Sequence, residues 1–243
     1  MQIALRPASR LAMLVCAAGV GLAVAGCAEL GLDLPRTGIL GAPSEPTIAA
    51  GLKEALQIGA ERSVSRAARP GGFLDDPHVR IPLPPQLEKL GRGLRALGFD
   101  GAVDELEVAM NRAAERAARE AQGPLVAAVA GLQIADARAI LSGPDDAATQ
   151  YLRRASGDAL RERFAPVVAS AMRGTDVHRA YEELRSRNRA LALLKDPTVD
   201  LERYDTDETL DGLFTLIRDE ERRIRNDPAA RTTELLRAVF GQP

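Results

Sequence analysis

From residue 47 to near the C-terminus the apolar residues recur at intervals of three and four, and no stretch alternates at intervals of two. A chain patterned this way buries its apolar side chains as helices, because a half-buried strand needs the period of two. Residues 47–68 place Ile48, Leu52, Ala55, Leu56 and Gly59 on one face, and Pro70-Gly71-Gly72 ends them. A shorter helix is predicted over 84–97 from Leu87, Leu90, Leu94 and Leu97, with Gly98 as its stop. Residues 101–132 repeat Val103, Leu106, Met110, Ala113 and Ala117 before meeting Gly123-Pro124. A proline costs about 3 kcal/mol inside a helix, which predicts a kink or break there. Short helices are expected over 134–141, 144–155 and 157–172, and further helices over 177–194, 205–226 and 228–240. In the 205–226 segment Leu210, Leu213, Phe214, Ile217 and Ile224 form one stripe. The expected fold is all-α, a single-domain multi-helix bundle following a cleaved lipoprotein signal peptide.

The signal peptide is read from the first 27 residues. Arg6 and Arg10 make a positive n-region, residues 11–25 an apolar h-region, and Ala25-Gly26 the small residues before a cut. The apolar run is shorter than the ~20 residues a spanning helix needs. An ordinary cleaved signal with an incidental cysteine is the plainer alternative. Val24-Ala25-Gly26-Cys27 instead has the form of a lipobox, in which Cys27 carries the lipid. Diacylglycerol on its sulfur plus an amide-linked chain would exceed the two-signal threshold for stable anchoring. Ala28 follows rather than an aspartate, which in Gram-negative sorting favours the outer membrane, facing the periplasm. The expected organisation is therefore a signal peptide over 1–26, a tether over 27–46 and a helical domain over 47–243.

Loss of the leader removes Cys16, and acylation occupies Cys27, so the mature chain has no thiol left to pair. Stability then rests on packing. The mature chain carries a net charge of about −4, a poor balance for nucleic acid. Aromatic residues make up only 3% of the sequence, and alanine and glycine fill many interior positions. Small residues allow close helix approach but bury little area each, which counts against a large apolar cavity.

One long segment breaks the helical pattern, residues 69–84, rich in glycine and proline. Such loops are over-represented at functional sites, yet fixed proline torsions also suit a rigid crossover. Asp75, Asp76, His78 and Arg80 supply its polar chemistry. Arg153 and Arg154 follow Thr149-Gln150-Tyr151 on a short helix, and with Asn111-Arg112 they would suit an anionic group, since arginine binds carboxylate or phosphate bidentately. Internal pairing with the abundant carboxylates is the competing use of the same side chains.

Enzymatic and metal signatures are thin. The two histidines, His78 and His178, stand without a Gly-x-Ser-x-Gly elbow. His178 has Glu182 four residues on but no second Glu-x-x-His pair for a di-iron bundle. Asp205-Thr206-Asp207-Glu208 opens like a calcium loop but has Leu210 and Leu216 where a glycine and a glutamate belong. Helix capping by Asp205 with Glu208 is the better account. Asp145-Asp146 after Pro144, and Asp227 before Pro228, read as first-turn acids and caps of the same kind. Residues 218–225 read as a solvated face, with Asp219–Arg223 and Glu221–Arg225 as i,i+4 pairs. No catalytic residue, metal or cofactor is expected.

Several stretches together carry a resemblance. They are Leu52-Lys53-Glu54-Ala55-Leu56, Pro70-Gly71-Gly72-Phe73-Leu74, Val79-Arg80-Ile81-Pro82-Leu83-Pro84 and Met110-Asn111-Arg112-Ala113-Ala114-Glu115, followed by Asp145-Asp146-Ala147-Ala148-Thr149-Gln150-Tyr151, Asp211-Gly212-Leu213-Phe214 and Pro228-Ala229-Ala230-Arg231-Thr232-Thr233. Over roughly residues 47–241 the chain resembles the bacterial lipoprotein family of domain of unknown function 4197. The resemblance implies a fold and an address, and no activity or site residues. Two functional expectations remain. One is a membrane-anchored, non-enzymatic scaffold or interaction module with an envelope protein as partner. The other is a binder of a small anionic molecule through Arg112, Arg153, Arg154, Asp76, His78 and Arg80.

Overall fold

Ser44 starts the first helix. Its hydroxyl accepts from the Thr47 N–H at 3.4 Å, and Pro46 sits in the first turn, where a missing N–H costs nothing. Helix α1 therefore runs Glu45–Ala68 and takes in two residues that the sequence reading had placed in the tether. The computed structural model describes residues 44–85, 87–88, 100–173 and 200–240. The leader, Cys27, most of the tether, His178 and the expected 177–194 helix lie outside these residues. Of the expected 84–97 helix, residues 85, 87 and 88 are described and helical.

Helix α2 spans Asp100–Ala117 and buries Met110, Ala113, Ala114 and Ala117 completely. A 3-10 turn, Ala118–Ala121, links it to α3, Gln122–Ala130. The break predicted by Gly123-Pro124 is thus real but falls just before them. The proline ring clashes with the carbonyl four residues back, at Glu120, and the tighter 3-10 turn absorbs the mismatch. After residues 131–133 the chain bends by 102° into α4, Ile134–Leu141.

Helix α5 is continuous over Ala147–Arg173, where two short helices were expected. Gly157 does not stop it, because Leu152, Leu160 and Phe164, each fully buried, hold both sides of the glycine in one packed stripe. A methyl group at Gly157 would meet no atom within 4 Å. Gly157→Ala is accordingly expected to stabilise the domain by about 0.5–1 kcal/mol, read as a higher urea midpoint at constant slope.

Helix α6 spans Leu201–Asn226 and begins at the cap Asp200, whose side chain accepts from the Arg203 N–H at 2.9 Å. A 3-10 turn at Pro228–Ala230, capped by Asp227 onto the Ala229 N–H, precedes α7, Glu234–Phe240. The single helix expected over 228–240 is therefore divided. Helix α5 packs along α6 and α2, and α1 packs on α6, α7 and α3. Gly51 lets α7 sit against α1, since a Cβ there would lie 2.5 Å from Val239 Cγ2. The described residues contain no strand and form one compact unit. The fold is all-α and multi-helical.

Candidate functional site

The crossover at 69–84 is built by close backbone approach. Gly71 takes φ +80°, a torsion that side chains disfavour. At Gly72 a Cβ would strike the carbonyl oxygens of Arg66 and Ala67, so the segment folds back over the end of α1. Phe73, fully buried, enters the core against Gly212 of α6, where an added Cβ would lie 2.5 Å from the ring.

Helix α2 then clamps the segment with three side chains spaced one turn apart. Glu107 accepts from Arg80 Nε at 2.7 Å. The fully buried Asn111 accepts from the Ile81 N–H at 2.9 Å and donates to the Ile81 carbonyl at 2.8 Å. Glu115 accepts from the Phe73 and Leu74 N–H groups at 3.4 and 3.3 Å, and its other oxygen holds Arg112 at 2.7 Å. Asp76, buried, holds Arg66 at 2.5 Å and accepts from the His78 N–H at 3.2 Å. Buried backbone groups must be paired, and here side chains of α2 supply the partners that a helix would have supplied internally.

Asp76, Arg80 and Arg112 thus gather at the crossover, each with an internal partner, while the His78 side chain is exposed. Arg153 looks elsewhere. It pairs with Asp211 at 2.6 Å and lies over the Phe214 ring at 4.6 Å, joining α5 to α6. Arg154 is exposed on α5.

A second polar node joins α5, α6 and the end of α4. Glu221 accepts from the Ala148 N–H at 3.1 Å, from the Thr149 N–H at 2.8 Å and from the Thr149 hydroxyl at 2.7 Å. It thereby caps α5 with an anion at the positive end of the helix dipole. Arg225 donates to the same carboxylate at 2.9 Å and to the Ile140 carbonyl at 3.1 Å. The side chains of Glu221 and Arg225 are 8% and 14% exposed. The i,i+4 pair expected there exists, but it is buried and not part of a solvated face. Arg223, expected to pair with Asp219, instead meets Glu220 at 3.4 Å. Nor do Asp145 and Asp146 begin α5. The helix starts at Ala147, and the anion at its end comes from α6. Beside Glu221 lies a crevice of about 30 Å³, walled mainly by Leu52, Leu56, Leu152, Ile217, Ile224 and Phe240.

Asp205 overturns its expected role as a cap. It lies in the second turn of α6, fully buried, and neither carboxylate oxygen has a hydrogen-bond partner among the described residues. Burial, helped by the nearby Glu208, holds its carboxyl well above the ordinary value of 3.8. The adjoining Tyr204 hydroxyl donates to the Pro82 carbonyl at 3.2 Å and is pushed up to about 12, by burial first and then by Glu208 and Asp205. The described residues include no cluster of three histidine, cysteine or carboxylate side chains fit for a metal ion.

Sequence reasoning passed over Asn111 as a clamp, together with Glu107 and Glu115. The available signal was a polar row at i, i+4 and i+8 beside the apolar Met110, Ala113, Ala114 and Ala117 on the same helix.

The family model described as a protein of unknown function, DUF4197, matches residues 42–241. No curated protein and no solved structure matches the chain.

Proposed function

The chain belongs to the DUF4197 family, and from that premise we propose that it is a lipid-anchored, non-enzymatic interaction module of the cell envelope. Cys27 carries the acyl chains, Ala28 directs the protein to the outer membrane, and the helical domain faces the periplasm, where it engages another envelope protein. One observation carries this reading. The polar side chains of the crossover and the Glu221 node are spent on pinning backbone and helix ends, which makes a rigid surface. The alternative, a binder of a small anion, would have Arg112 and Arg153 exchange Glu115 and Asp211 for the ligand. That exchange offsets most of what a charge-assisted contact contributes, so the interaction reading is preferred.

The anchor is tested first. Cys27→Ser is expected to shift the protein from the detergent phase to the aqueous phase, or to leave it unprocessed. A processed Cys27→Ser protein that still partitioned fully into detergent would contradict the anchor. Crosslinking in native membranes should then return a reproducible protein partner, and its absence would count against the interaction reading.

A further inference from the structure

One stretch of the chain carries no charge of its own. Between Glu120 and Asp136 the sequence has no ionisable side chain, although charged residues make up 27% of the chain. At that frequency a surface stretch of this length would hold about four. Here α3 ends and the chain turns into α4, and Val126, Ala127, Ala130, Ile134 and Ala135 are exposed. Val126 and Ile134 are each 46% exposed, and they are two of the three large apolar side chains left exposed among the described residues.

The α4 side of the corner lies beside the start of α1. Arg138, one turn beyond Ile134, is ion-paired with Glu45, the first residue of α1. Lys53 of α1 donates to the Ala130 carbonyl at 3.2 Å. Residues 28–44 separate Glu45 from Cys27, and a coil of that length has a root-mean-square reach of roughly 25 Å. A lipid on Cys27 therefore keeps this end of the domain within reach of the bilayer.

We infer that the α3–α4 corner rests on the lipid bilayer and sets the orientation of the domain on it. The inference rests on the lipid anchor proposed above. The apolar area is too small to hold a free protein on a membrane, since such binding scales with buried apolar area. The anchor makes the contact intramolecular, at an effective concentration in the millimolar range, and a weak contact then suffices to orient.

The test uses the full-length acylated protein in vesicles of phosphatidylethanolamine and phosphatidylglycerol. An environment-sensitive fluorophore is placed on Ala127→Cys, with Asp158→Cys as control, a position whose side chain is fully exposed on α5. The expected result is a blue shift at 127 and quenching by nitroxide lipids several-fold stronger than at 158. The pair Val126→Glu and Ile134→Glu should bring the two positions to equal quenching with flotation and helix content unchanged. Flotation with equal quenching at 127 and 158 in the unmodified surface overturns the inference and leaves the anchor standing. Failure to float with the vesicles takes down the anchor and the inference together. A blue shift that needs no vesicles and grows with protein concentration assigns the corner to a second copy, which also overturns the inference.

Discussion

Replacing Glu221 by alanine is expected to destabilise the domain by about 3–5 kcal/mol, the range for removing one partner of a buried, hydrogen-bonded charge pair. The loss has two parts. The Ala148 and Thr149 N–H groups at the start of α5 lose their acceptor, and a buried donor left unpaired costs the whole of its desolvation. Arg225, 14% exposed, keeps the Ile140 carbonyl and the face of Phe240, 6.0 Å from the ring centroid, but loses its counter-charge. Urea unfolding monitored by circular dichroism measures the change. Glu221→Gln, which keeps an acceptor for the helix end, should lose distinctly less. Equal losses for the two variants would show that charge contributes nothing at this node. A loss below about 1 kcal/mol in Glu221→Ala would place the site among ordinary surface pairs.

Asp205→Asn is expected to act in the opposite direction, raising stability at neutral pH, because a neutral amide removes the cost of either burying the charge or holding the carboxyl protonated against its release in the unfolded chain. The effect must depend on pH. In the folded chain Asp205 keeps its proton above the ordinary value of 3.8, whereas the unfolded chain releases it near that value. Between those two points the folded state binds more protons, so the wild-type protein loses stability as pH rises through the interval. Above the folded value the penalty is constant. Below 3.8 both states are protonated, and the advantage of asparagine should vanish. Urea midpoints of both proteins from pH 3 to 8 measure this. A difference that stays constant over the whole range would show that ionisation at Asp205 is not its source.

Much of the architecture was legible along the chain. Helix α4 falls on the predicted residues, Asp227 caps the turn after it as read, and the apolar stripe of α6 from Leu210 to Ile224 is buried as its spacing implies. The errors share a physical form. A break was expected between residues 155 and 157, and packing on either side of Gly157 carried one helix through it. Asp205 was read as a cap because acids near a helix start usually are caps, while Asp200, five residues earlier, held that place.

The polar site was legible in kind and not in pairing. Arg112, Arg153 and Asp76 were marked as candidate ligand-binding groups, with internal pairing as the competing use of the arginines, and each is ion-paired in the fold. Which partner each takes was out of reach, as was the burial of Glu221. Helical period, turn residues and caps depend on neighbours within about four positions, so a sequence carries them in plain order. The bond from Glu221 to the start of α5 spans 73 residues, and the contact of Phe73 with Gly212 exists only because a crossover and a helix meet. Such pairs are settled by how closely helices rich in alanine and glycine approach, a distance that no local pattern encodes.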